Sequence, residues 1–321
     1  MIRLAVIGAG NHSSSNHGAA LRACKAAHPE AVELAAVCDL DLKKAGAYAE
    51  RFGFLKTYDN YDRMLAEARP DGLIAITPLT LTERIAGDLL ARRLPLVIEK
   101  PPGETSEATR RLLKLAEQHG TPHMVSFKRR FIPAVAKARE WLAGPGQGRP
   151  PKLMIARMLR RARREAGFVV GTGIHVIDTV LSFMGRPESV FTRRVPSGVP
   201  DRYFYEASVG FEGGGTGNVI LSSDVGMDQE TFEIHGPEYC IQIDSALCRV
   251  RIMDGGREAL SWQAPPDAEP AYVGGAVDEA LAFLRYVREG KGYWPVLKDG
   301  LASMIVCEAV AAGGEVRLNV P

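Results

Sequence analysis

Lys100 and His175 are the two side chains best equipped to move a proton in this sequence. Lys100 stands in Val97-Ile98-Glu99-Lys100-Pro101-Pro102, where an apolar run from Leu94 to Ile98 reads as a buried parallel strand. A carboxylate, an amine and two prolines follow at that strand's carboxyl end, the edge of an open α/β sheet where ligands bind. An amine on a strand end is held rigidly. In a partly dry cleft beside a positive charge its ammonium form is disfavoured, which brings it towards useful acid–base strength. A solvated surface lysine is the other reading. His175 lies in the first turn of an apolar helical pattern, with Ile174, Ile177 and Leu181 packing below it. Asp178, three residues on, shares its face and either orients the imidazole or pairs elsewhere. A satisfied core histidine is the plain alternative for His175.

These residues need a frame, and the first half of the chain supplies one. Leu4 to Ile7 is a strand, Gly8-Ala9-Gly10 follows at once, and a helical pattern from near Asn16 carries Ala19, Ala20, Leu21 and Cys24 on one face. Strand, glycine turn and helix is the context a dinucleotide fingerprint requires. Gly8 allows the tight turn, Gly10 lets the backbone approach a pyrophosphate, and helix amides then face the phosphates. The third glycine is missing: Ser13 stands near its place, and the loop from Asn11 to His17, with His12 in it, reads as one residue longer than usual. An ordinary strand-to-helix turn is the competing reading.

The second strand, Val32 to Val37, ends at Cys38-Asp39. An acid at that tip accepts hydrogen bonds from a ribose 2′-hydroxyl, or else caps the next helix. Leu40 stands where an arginine would favour a 2′-phosphate, so NAD is expected over NADP, with Lys43 and Lys44 keeping NADP open. The expected cofactor contacts are Gly8, Gly10, Asn11, His12, Asp39, Thr77, Pro78, Glu99 and Lys100.

Helices over 42–52, 61–68, 82–92 and 106–119 alternate with strands over 57–58, 71–76, 94–98 and 123–127. That βαβ succession predicts a doubly wound parallel sheet. Beyond a helix over 134–142, the stretch Gly144 to Pro151 is the nearest thing to a flexible joint. Strands over 152–159, 189–195, 203–211, 216–223, 230–235, 240–244 and 249–253, several separated by short glycine turns, predict antiparallel hairpins. Helices over 174–184, 276–289 and 301–311 complete an α/β chain.

The totals bound the function. At 321 residues, 46% of them apolar, the chain has enough for one or two full cores. A net charge of +2 without a basic arm does not suggest a nucleic-acid partner. No run approaches the roughly 20 apolar residues of a membrane span, and the start runs straight into a strand with no signal-peptide pattern. Five scattered cysteines, none in a Cys-x-x-Cys pair, fit a reducing cytoplasm and argue against a disulfide framework or a zinc site, and no metal is expected.

Taken together, Ala5-Val6-Ile7-Gly8-Ala9-Gly10, Val37-Cys38-Asp39, Thr77-Pro78, Glu99-Lys100-Pro101, Phe127 to Pro133 and Gly173-Ile174-His175-Val176-Ile177-Asp178 resemble the Gfo/Idh/MocA oxidoreductases over nearly the whole length. The resemblance implies an NAD(P)-binding Rossmann domain, placed at 1–122, and an α/β domain with a large, mostly antiparallel sheet at 123–321. It implies hydride transfer on a sugar, polyol or related alcohol, with His175 at the substrate. It also implies a homodimer or homotetramer formed through the second domain's sheet. NAD-dependent glycosidases belong to the same family and are an alternative, as is a catalytically silent NAD-binding sensor.

One departure stands out. Many members of the family carry an aspartate four residues before the histidine, and here that position is Gly171. A second oddity is the basic run at 157, 160, 161, 163 and 164. It reads as a solvated edge or, more sharply, as a cationic pocket for an acidic sugar. Lys128, Arg129 and Arg160 are the candidate substrate contacts beside Lys100 and His175.

Overall fold

The computed structural model describes residues 1–163, 167–290 and 295–320; Arg164 of the basic run lies outside them. The chain divides into two compact units. One is Met1–Lys128 with Glu269–Gly300; the other is Arg129–Ala268 with Leu301–Pro321.

The first unit follows from its strand sequences. β1 (Ile2–Ile7) is followed by α1 (Asn11–Ser13), a π-helical turn (Ser14–Gly18) and α2 (Ala19–Ala27). Then come β2 (Val32–Cys38), α3 (Leu42–Phe52), β3 (Lys56–Tyr58), α4 (Tyr61–Ala68), β4 (Gly72–Ala75), α5 (Leu79–Leu90), β5 (Leu96–Ile98), α6 (Ser106–His119) and β6 (His123–Val125). The strands pair in the order β3-β2-β1-β4-β5-β6, all parallel. This is the doubly wound arrangement, with its switch point between β1 and β4. Leu4, Val6, Leu34, Val37, Leu73 and Leu96 are at most 1% exposed, the near-continuous apolar run that a parallel sheet covered on both faces demands. Each such leucine contributes about 2 kcal/mol by leaving water.

The second unit begins with α7 (Pro133–Ala143), β7 (Leu153–Leu159), a π-helical turn (Val169–Gly173) and α8 (Ile174–Met184). It continues with β8 (Pro187–Pro196), β9 (Tyr203–Phe211), β10 (Thr216–Ser222), β11 (Gln229–Gly236), β12 (Tyr239–Asp244), β13 (Arg249–Asp254) and β14 (Arg257–Gln263). The chain then gives α9 (Pro270–Val273) and α10 (Ala276–Glu289) to the first unit. α11 (Leu297–Ala312) leads back to β15 (Gly314–Arg317) in the second. The sheet runs β14-β13-β12-β11-β7-β10-β9-β8-β15, antiparallel except where β7 meets β10. Alternating burial along β7, β10 and β11 gives it one covered and one open face. α7 lies on β12 and β13, and α8 on β7 and β10.

The expected α/β architecture is therefore the observed one, a parallel sheet followed by a mostly antiparallel one. Several local expectations change. The first helix starts at Asn11, not near Asn16, and α5 starts at Leu79 rather than 82. α11 begins at Leu297 rather than 301, and β14, β15 and α9 had no counterpart in the sequence reading. Gly144 to Pro151 lies inside the second unit rather than between the two. The Arg149 guanidinium binds both oxygens of Asp254 at 2.6 and 3.1 Å, and a Cβ on Gly146 would stand 2.6 Å from the Trp141 ring. No helix among the described residues is long and apolar enough to cross a membrane.

Candidate functional site

The carboxyl end of β1 is where the backbone is most constrained. Gly8 has φ +103°, and a Cβ there would lie 1.9 Å from the carbonyl oxygen of Ile76, just past β4. Only glycine allows the two strand ends to approach so closely at the switch point. At Gly10 an added Cβ would meet nothing within 4 Å, so the loop surface is open.

Asp39, at the tip of β2, ties this loop down. Its Oδ2 accepts the Ala9 amide at 2.8 Å and its Oδ1 accepts the Asp41 amide at 2.9 Å. The cap of α3 is instead Asp41, whose side chain accepts the Lys43 and Lys44 amides. A carboxylate offers about four lone-pair sites, so Asp39 can still accept ribose hydroxyls. A rigid glycine turn, an open loop surface and an acid with acceptors to spare fit a dinucleotide's pyrophosphate and ribose. Thr77 and Pro78 continue the rim: Thr77 Oγ1 lies 3.2 Å from Thr82 Oγ1, and Pro78 sits at the start of α5.

Glu99 has partners that its sequence neighbours do not reveal. The residue is only 8% exposed. Its Oε1 lies 3.1 Å from His12 Nε2 and its Oε2 2.9 Å from His17 Nε2. Burial pushes the carboxyl pKa up, but the hydrogen bonds and charges of the two histidines outweigh it and hold the group well below the usual range. Lys100 follows at the strand end, half-buried and joined to Pro101 by a cis peptide bond. Lys128 donates to Asn16 Oδ1.

In the second unit, His175 is the second residue of α8 and is buried. Its carbonyl accepts the Thr179 hydroxyl at 2.8 Å. Asp178 has a strong partner on another element. Arg130 Nε and Nη2 reach its two oxygens at 2.8 and 2.7 Å, and the Ser303 hydroxyl donates to Oδ1 at 3.2 Å. Both ionic side chains are almost wholly buried, at 2% and 0% exposed.

Arg129 and Arg160 converge on one acid, Glu230, which the sequence reading passed over. Arg129 makes a bidentate pair with it at 2.8 and 3.0 Å, and Arg160 donates to Oε2. Burial alone would raise the Glu230 pKa, but the two guanidinium groups lower it. Arg157 lies 3.4 Å from Glu233. The basic run is thus matched by acids from β11 at these positions. Gly171 lies in the π-helical turn before α8, and a Cβ on it would meet nothing within 4 Å among the described residues.

The structure thus brings Gly8, Gly10, Asn11, His12, Asp39, Thr77, Pro78, Glu99 and Lys100 to the carboxyl edge of one parallel sheet. It gathers Arg129, Arg160 and Glu230 in the second unit, and Arg130 with Asp178. His17 was missed as a site residue. Its signal was the extra loop residue together with a second histidine five positions after His12.

Residues 2–127 match the family described as an oxidoreductase family with an NAD-binding Rossmann fold. The rhizopine catabolism protein MocA of Rhizobium meliloti is 31% identical over 144 residues, 43% of this chain and 41% of that one. The chain therefore spans less than half the length of that relative. An inositol 2-dehydrogenase of Rubrobacter xylanophilus is 26% identical over 297 residues, 87% of this chain and 82% of its own. Among solved structures, a levoglucosan dehydrogenase in complex with NADH and levoglucosan has the same fold. Its TM-score is 0.84 at 20% identity, covering 100% of this chain and 99% of that one.

Proposed function

We propose, from the membership of residues 2–127 in the Gfo/Idh/MocA oxidoreductases, that this chain is an NAD-dependent dehydrogenase acting on a CH–OH group of a sugar or polyol. The observation that carries the reading is Asp39, anchored beneath the Gly8–Gly10 turn with acceptor capacity left for a ribose. In this reading Gly8, Gly10, Asn11 and His12 hold the pyrophosphate, and Thr77, Pro78, Glu99 and Lys100 the rest of the dinucleotide. The Asp39 charge repels a 2′-phosphate, which favours NAD over NADP. When bound, NAD supplies the hydride acceptor. Lys100 accepts the hydroxyl proton at Nζ, and His175 is the second candidate for proton transfer.

Buried Glu230 offsets one of the two positive charges of Arg129 and Arg160, so a neutral sugar and a sugar acid both stay within this reading. Dinucleotide binding is assigned to 1–122 and substrate binding to 123–321. Exposed Phe191, Val195 and Phe204 on β8 and β9 support pairing of copies through the nine-stranded sheet.

The test is NADH absorbance from purified protein with NAD and pooled polyols, aldoses, inositols and sugar acids, beside Lys100→Met. Turnover that disappears in the variant while NAD still binds supports the proposal. NAD binding without turnover on any substrate favours the second reading, a silent NAD-binding protein, which Gly171 motivates. Cleavage of an aryl glycoside that depends on added NAD favours the glycosidase alternative.

A further inference from the structure

His12, His17 and Glu99 place three ligand atoms, two imidazole nitrogens and a carboxylate oxygen, within 4.8 Å of one another. Two positions five apart lie about 140° apart around an α-helix, so His12 and His17 would not face a common point in one. The π-helical turn at Ser14–Gly18 removes that obstacle by inserting one residue into the helix. The insertion is held in place. The Ser13 hydroxyl donates to Tyr48 at 2.9 Å in the buried interior. A Cβ on Gly18 would come within 2.6 Å of the Phe52 ring and 2.8 Å of the Tyr48 hydroxyl, so the residue after His17 has to be glycine for the turn to seat.

We propose that His12, His17 and Glu99 form a binding site for a divalent first-row metal ion of the zinc type. A tetrahedral zinc bound at 2.0–2.2 Å sets its ligand atoms about 3.3 Å apart. His12 Nε2 and His17 Nε2 stand 3.1 and 2.9 Å from different oxygens of Glu99, and the three ligand atoms lie within 4.8 Å of one another, so an ion held by a single carboxylate oxygen draws the set together by about 1 Å. Two histidines and one carboxylate are a known zinc ligand set, and three protein ligands leave the fourth position open. That position faces outward, because the His12 side chain is 47% exposed while those of His17 and Glu99 are each 10%. An ion therefore enters from the His12 side and keeps water there. The ion takes a lone pair from each ligand atom, so its binding releases any proton that those atoms carry. His12 and Glu99 also belong to the proposed dinucleotide site, so the ion and the cofactor share two residues.

The experiment is calorimetric titration of untagged, chelator-stripped protein with zinc chloride at pH 7.5, without NAD or substrate. One equivalent per chain is expected. Removing a ligand costs more than the roughly 10–100-fold that outer-shell changes cost, so Glu99→Gln and His12→Gln should each weaken binding at least about 100-fold. His235→Ala, outside the cluster, should leave the isotherm unchanged. His12 is exposed, so its variant tests the site even where Glu99→Gln fails to fold. Absence of zinc binding in the wild type, or binding that survives His12→Gln, overturns the proposal. Neither result bears on the dehydrogenase assay, and loss of the dehydrogenase reading leaves the titration valid.

Discussion

Replacing Asp178 with asparagine separates two accounts of this residue. Its carboxylate is wholly buried and held by two Arg130 hydrogen bonds of 2.7 and 2.8 Å, with the Ser303 hydroxyl at 3.2 Å. Asparagine keeps the shape but removes the charge, leaving a guanidinium only 2% exposed without its counter-ion. Breaking a buried pair costs about 3–5 kcal/mol, and the amide oxygen still accepts one N–H, so the expected loss is about 3 kcal/mol. At about 2–4 °C per kcal/mol for a unit of this size, Tm falls by about 6–12 °C. The double variant Arg130→Met with Asp178→Leu removes both charges and should recover most of that loss. Thermal melts followed by circular dichroism give Tm for all three proteins, and initial rates give kcat wherever a substrate is in hand. A Tm within about 1 °C of wild type, together with collapsed turnover, would refute a structural pair and return Asp178 to orienting His175.

Asp39→Ala removes a charged acceptor from two backbone amides and from the ribose. Hydrogen bonds to a charged group are worth about 1.5–3 kcal/mol, so NAD affinity should fall about 10- to 100-fold while discrimination against NADP shrinks. Fluorescence titration with both nucleotides checks this, and unchanged NAD affinity contradicts it. Gly171→Asp restores a carboxylate four residues before His175 where an added Cβ meets nothing within 4 Å among the described residues. Stability should stay within about 1 kcal/mol of wild type, and turnover should rise; a large loss of Tm would contradict the geometry. Glu230 has its folded-state pKa lowered below the ordinary 4.5 by Arg129 and Arg160 against the opposing effect of burial. Its stabilisation is therefore complete above that value and is lost as pH falls through the lower, folded-state value. Glu230→Gln should cost about 3 kcal/mol at pH 7 and should flatten the acid limb of stability below pH 4.5, as read from urea unfolding at stepped pH.

What the sequence revealed follows from where the information lies. α3, α4, α6, α8 and α10 start and end where the sequence reading put them. Most of these carry local stop or start signals: Asp41, Asn60 and Thr105 cap with their side chains, and Gly53, Gly120 and Gly290 end helices at positive φ. β14 and β15 carry no such signal. Each is an edge strand, and β14 is mostly exposed, so no alternation of burial marks it; its place comes from pairing with β13. The partner of the arginines stayed hidden for a similar reason. Glu230, which neutralises Arg160, is 70 positions away, and no local pattern connects a basic strand end to the acid that its sheet neighbour supplies.

The fingerprint loop shows how a departure from pattern can itself carry information. Read against a three-glycine turn, Asn11 to His17 is a defect: one glycine is gone and one residue is extra. Read as a helix, it has two histidines at a spacing that no α-helical face accommodates. Both anomalies have one physical resolution, a π-helical turn that absorbs the extra residue and swings His17 to the same carboxylate as His12. Such a turn has poorer hydrogen-bond geometry than the α-helix around it, so it persists only where tertiary contacts hold it. Here Tyr48 and Phe52 of α3 do so, through Ser13 and the bare backbone of Gly18. The irregular stretch is thus the part of the loop most strongly constrained by the rest of its unit. If its only task were to leave the cofactor room, the regular turn would serve, and the two imidazoles on Glu99 are what the irregular one adds.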